Sequence, residues 1–119
     1  MTLNEYQEQA MSTCMKSCEN DAYMMLNLVG EVGELASKLA KDIRKDKAAI
    51  QENYLVIYED EYMWMRHKEY MKEAGDILWQ LAGLCKLFGW TLEQVAQVNL
   101  DKLASRKERG VIDGNGDNR

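Results

Sequence analysis

Residues 77–88 read "ILWQLAGLCKLF", a run whose only polar side chains are Gln80 and Lys86. The chain contains no proline, so nothing breaks a helix here, and a helix over about residues 69–88 follows. A helix that is apolar on nearly every side is a buried one, set at the centre of a bundle or in a subunit interface. On that basis the fold class is all-α, a helical bundle of about four to five helices.

Downstream, Gly89 ends the helix, and Thr91 followed by Gln94 is the start signal of a capping box. It opens a last helix over about residues 92–108. The tail "GVIDGNGDNR", with glycines at 110, 114 and 116, is a loop. Upstream, a helix carries "LNLVGEVGELASKLA" at residues 26–40. There Met25, Val29, Val32, Ala36, Leu39, Ala40 and Ile43 form one apolar stripe and are expected to face the core. The charged segment 44–52 ends that helix. Within residues 53–68, "YLVIY" has the local look of a strand but no partner strand, so the segment is read as loop plus helix. A first helix is expected over about residues 3–19. No repeat and no linker divides the chain, giving one domain over residues 1–109 and a glycine-rich tail over 110–119.

The 119 residues are 46% hydrophobic and 29% charged, with a formal net charge of −5. Basic residues are interspersed with acidic ones, so no footprint for a nucleic-acid backbone is visible, and nucleic acid is excluded as a partner. No apolar run approaches a membrane span and no signal peptide is present, which makes the cytoplasm the expected location and a membrane no partner. Cys14, Cys18 and Cys85 read as reduced, packed thiols. A zinc site from Cys14, Cys18 and His67 lacks a fourth ligand and is set aside. Eight methionines, six tyrosines and three tryptophans are a large apolar supply for so short a chain, and they point to a homodimer or homotetramer.

Chemistry enters with the carboxylates. Glu31 and Glu34 are three residues apart and so neighbours on a helix, but they fall away from the apolar stripe, where a solvated face explains them. "KEAGDILW" at residues 72–79 changes the balance, because Glu73 and Asp76 repeat the spacing at the head of the apolar helix. Carboxylates there repel one another and resist desolvation unless cations compensate them. Two such pairs facing each other across a bundle gather oxygen ligands for Mg²⁺ or Mn²⁺. Gly30, Gly33 and Gly75 beside them are expected to permit close approach of helices and ligand. A di-iron bundle wants a Glu-x-x-His element twice and is excluded by the single histidine. On the last helix Asn99, Lys102 and Arg106 share one face, an amide and two cations suited to a phosphate-binding wall.

Glu-x-x-Glu on one helix, Glu-x-x-Asp on a later one and Asn-x-x-Lys-x-x-x-Arg after it resemble the MazG-like nucleotide pyrophosphohydrolases of the all-α NTP pyrophosphohydrolase superfamily. The matching text is "LNEYQ" at 3–7, "GEVGELA" at 30–36, "KEAGDILWQL" at 72–81 and "TLEQVAQVNLDKLASRKERG" at 91–110. The resemblance departs in its spacing, with the additional length in residues 53–68.

The resemblance implies hydrolysis of a nucleoside triphosphate between the α and β phosphates, giving the monophosphate and pyrophosphate in nucleotide-pool cleansing or balancing. Glu31, Glu34, Glu73 and Asp76 then hold Mg²⁺, which binds the triphosphate and acidifies water. One of these carboxylates, or one just outside them, orients or deprotonates the water. Asn99, Lys102 and Arg106 are similar in position to residues that contact sugar and phosphates, and Gln7 lies where the family's first helix approaches the base. Trp79 and Trp90 either border a base pocket or belong to the core, and the tail either folds over the site with Arg119 or stays loose. Two rival readings remain at this point: a narrow dUTP or dCTP pyrophosphatase, and a non-catalytic helical interaction module.

Overall fold

The computed structural model describes residues 1–119. Four helices run in the order α1 (Leu3–Met11), α2 (Asp21–Arg44), α3 (Met63–Leu87) and α4 (Leu92–Glu108), with a hairpin of β1 (Ala48–Gln51) and β2 (Tyr54–Ile57) between α2 and α3. The chain is therefore mostly helical, as expected, with a small two-stranded sheet added.

Local chemistry sets the helix boundaries. Thr2 with Glu5, and Thr91 with Gln94, form reciprocal capping boxes at α1 and α4, while the Asn20 side chain accepts from Tyr23 N at the start of α2. Helix α1 stops at Met11, well short of residue 19. The hydroxyls of Ser12 and Thr13 turn back to donate to the carbonyls of Gln9 and Ala10 at 2.6 and 2.7 Å, offering the backbone an alternative to the helical ladder. A short 3-10 turn at Lys16–Cys18 follows.

Residues 53–68 correct the loop-plus-helix expectation. "YLVIY" does become a strand, and its partner lies in the segment taken only for a helix end. Ala48 pairs with Ile57 and Gln51 with Tyr54 in antiparallel register, and Glu52 turns the corner at φ 56°. Helix α3 then starts at Met63 rather than near residue 69. Arg66 fastens this junction, donating to Tyr58 O at 2.8 Å and to Asp60 Oδ1 at 2.9 Å.

Helices α2 and α3 run antiparallel side by side, and α1 lies across the far end of α3. The central cluster of Met11, Ala82, Cys85 and Leu92 sits where α1, α3 and α4 meet, with Trp79 packed against it. Gly83 is the glycine that permits close approach: a Cβ there would lie 2.6 Å from Met24 Cε. At Gly30, Gly33 and Gly75 an added Cβ meets nothing nearer than 3.7 Å, so the close approach expected of them is not their role within this chain.

The stripe expected on the core face of α2 is turned outward. Met25, Val29 and Val32 are exposed, at 49%, 66% and 50%, while the side toward α3 carries Met24, Leu28, Glu31, Leu35, Lys38 and Asp42. A compact chain of this length has a radius of gyration of roughly 13–14 Å. Here it is 17.7 Å, because α4 packs on α1 and the end of α3 through its first turns and leaves much of the α2–α3 pair uncovered.

Candidate metal centre

The inward turn of α2 carries Glu31 against the Glu73 and Asp76 turn of α3. One carboxylate oxygen from each of these three residues lies within 4.8 Å of the others. Glu34 is one turn further along, exposed, and outside that group. Three of the four carboxylates singled out in the sequence are thus brought together, and the fourth stands at their edge.

The electrostatics are those of a cluster only partly compensated within the chain. Burial, reinforced by the charges of Glu34, Asp76 and Glu73, pushes the Glu31 carboxyl above its usual range, and a hydrogen bond from Asn27 only partly opposes this. Glu73 is buried, and its Oε2 has no hydrogen-bond partner. Its other oxygen, Oε1, receives the Lys38 ammonium at 2.5 Å, and the same ammonium reaches Glu69 Oε2 at 3.2 Å. These bonds raise the Lys38 pKa. An orphaned buried carboxylate oxygen among converging hard oxygen donors fits a divalent cation of the Mg²⁺ type. Such a cation would satisfy the orphan and relieve the repulsion that adds to burial in raising Glu31. Lys38 is a residue that the sequence reading leaves out of the site; its signal is the seven-residue step from Glu31, two turns on the same side.

The residues expected to bind substrate are placed differently. Lys102 and Arg106 turn to the tail, where both reach Asp117 Oδ1, at 3.4 and 2.9 Å. Asn99 is exposed on the same helix, and none of the three is brought to the carboxylates in this chain. Gln7, expected at the base, is buried and donates both amide hydrogens to Ala82 O and Trp90 O while accepting from Leu92 N. Trp79 directs its indole N–H to Ala10 O and Thr13 Oγ1 at 3.1 and 3.0 Å, which ties it to the end of α1. Trp90 is exposed and stacks on Phe88 with ring centroids 4.9 Å apart. Arg119 bonds carbonyls of its own tail at Val111 and Ile112 and does not enter the site.

No helix is long and apolar enough to cross a membrane. The Gene 37 protein of Mycobacterium phage L5 is 41% identical over 104 residues, which cover 87% of this chain and 80% of that protein. No solved structure matches the chain. The family model described as the MazG nucleotide pyrophosphohydrolase domain matches residues 19–111, a span that takes in both carboxylate pairs and the whole of α4. With that match over most of its length, the chain belongs to the MazG nucleotide pyrophosphohydrolase family.

Proposed function

We propose that this chain is a Mg²⁺-dependent nucleoside triphosphate pyrophosphohydrolase that converts deoxynucleoside triphosphates to monophosphates and pyrophosphate, with Mn²⁺ as an alternative ion. The observation that carries this is the convergence of Glu31, Glu73 and Asp76 around the unpartnered oxygen of Glu73. A cation held there would supply neutralisation of phosphate charge and acidification of water. The chain's own residues do the rest. Glu31, Glu73 and Asp76 would hold the cation and, through it, the reacting phosphates. Glu34, exposed at their edge, is the free carboxylate that holds the attacking water. Lys38 lies close enough to exchange its bond with Glu73 for one with a phosphate oxygen. The exposed, adjoining position of Glu34 also supports its joining the ligand set when a second ion is present.

A direct test is to incubate the protein with each dNTP and Mg²⁺ and measure pyrophosphate. Release with at least one nucleotide is the expected result; none with any nucleotide, in Mg²⁺ or Mn²⁺, sinks the proposal and favours the interaction module.

The functional unit in this reading is a homodimer or homotetramer. Only 13 of 119 residues are buried, and the exposed Met25, Val29 and Val32 face of α2 is the kind of surface that a second copy covers. On α4, Asn99 is exposed, whereas Lys102 and Arg106 would have to release Asp117 of the tail before they could complete a neighbouring copy's substrate wall. Light scattering is expected to give a multiple of the 13.7 kDa chain mass; a monomer at micromolar concentration contradicts the assembly.

A further inference from the structure

A cavity of about 410 Å³ opens between the C-terminal half of α2 and the first turns of α3, beyond the carboxylate cluster. Its charged lining is Lys38, Lys41, Lys45 and Arg66 against Asp42 and Glu69. Both acids are already engaged: Asp42 accepts from the Tyr70 hydroxyl, and Glu69 is paired with Lys72 and Lys38. Lys41 and Lys45 have no carboxylate partner among the ion pairs of the chain. Lys38 is also paired with Glu73 and Arg66 with Asp60, so the uncommitted positive charge of the cavity is that of Lys41 and Lys45, in a protein whose overall charge is −5. A concave site whose sign opposes that of the whole molecule concentrates anions.

The position of the cavity narrows the anion. Lys38 lines it and also touches Glu73, so the cavity starts where the carboxylate cluster ends. Arg66 is pinned in its wall by Tyr58 O and Asp60, and its Nε is buried with no partner. Lys41 and Lys45 stand one and two turns beyond Lys38, and unpaired ammonium groups in such a row suit a chain of phosphates.

We propose that this cavity is the subsite for a short polyphosphate, the β,γ-diphosphate end of the substrate that departs as pyrophosphate. The assignment rests on the hydrolase reading above. Water forms a bond to the α-phosphorus, the α–β bridging oxygen leaves with its electron pair on the pyrophosphate, and the water's proton passes to a carboxylate and then to solvent. Lys41 and Lys45 neutralise the charge that collects on the leaving group.

Calorimetry of inorganic pyrophosphate with saturating Mg²⁺ tests this on the full chain. Lys41→Ala with Lys45→Ala is expected to weaken pyrophosphate binding at least tenfold and deoxynucleoside monophosphate binding less than twofold. The control, Lys16→Ala with Lys107→Ala, removes the same charge from exposed positions outside the cavity and is expected to change both less than twofold. All four lysines are exposed or at the rim, so folding is not at stake. The subsite is overturned by a wild type that binds no pyrophosphate, by a cavity variant that binds it like wild type, by equal losses in both doubles, or by a parallel loss of monophosphate. Lysine-dependent pyrophosphate binding without turnover of any nucleotide keeps the subsite and removes the hydrolase reading; turnover with unaltered pyrophosphate binding in the cavity variant does the reverse.

Discussion

Glu31→Gln is expected to lower turnover roughly a thousandfold while leaving the cation-free chain at least as stable as the wild type. The first half follows from the cluster. A divalent cation at a phosphoryl centre contributes several kcal/mol to transition-state stabilisation, and each 1.36 kcal/mol is about a tenfold change in rate. Losing one of three convergent carboxylates removes much of that. The second half follows from the sign of the Glu31 shift, which is upward through burial first and then through Glu34, Asp76 and Glu73. A carboxyl whose folded pKa is raised contributes stability below the ordinary carboxylate pKa of about 4.3 and loses it as the pH rises through the raised value. At neutral pH the ionised Glu31 therefore opposes folding, and glutamine removes that opposition while its amide oxygen still accepts from Asn27 Nδ2. Saturating-Mg²⁺ kinetics and urea unfolding at pH 7 check the two halves. A rate within tenfold of wild type places the ion elsewhere, and a loss of stability alongside the loss of rate makes the activity result uninformative about ligation, returning the assignment to Glu73 and Asp76.

The sequence carried the chemistry of this site further than its placement. Two carboxylate pairs at matched spacing were legible because a helix fixes i and i+3 as neighbours whatever else the chain does. The orientation of α2 was not. The stripe Met25, Val29, Val32, Ala36, Leu39, Ala40, Ile43 and the observed inward row Met24, Leu28, Glu31, Leu35, Lys38, Asp42 have nearly the same spacing, displaced by one residue, or about 100° of helix rotation. Hydropathy selects the more apolar of two such rows. In this chain that row stays exposed except for the half-buried Leu39, and the inward row mixes leucine with the groups that form the site. The hairpin escaped for another reason: Ala48–Gln51 is four residues long and follows a charged helix end, so only pairing with Tyr54–Ile57 reveals it as a strand. The start of α3 was hidden with it, and so was Arg66. By contrast, the capping boxes depend on two residues at fixed separation, and the one at Thr91 is found where its sequence places it.

Gln7→Leu separates a base-reading residue from a structural clamp, and a loss of about 3 kcal/mol in unfolding free energy is expected. Leucine fills a similar volume but has no polar atom. It strips Leu92 N, at the buried first turn of α4, of its 3.0 Å acceptor and deprives the Ala82 and Trp90 carbonyls of their 3.1 Å donors. A buried group left unpaired costs about 1–3 kcal/mol, and the bonds of Gln7 to Leu92 N and Ala82 O are both buried. The clamp also holds the architecture, since α1 meets α4 mainly here and through Asn4, whose side chain bonds Glu93 N and Glu93 Oε2. Loosening it frees α4 from the far end of α3 without touching the carboxylates. A clamp predicts a lower urea midpoint and, below the transition, unchanged ratios of KM among the four dNTPs. A base contact predicts the opposite pattern, with altered ratios at unaltered stability. Both amide hydrogens of Gln7 are already committed inside the chain, so the first pattern is the expected one.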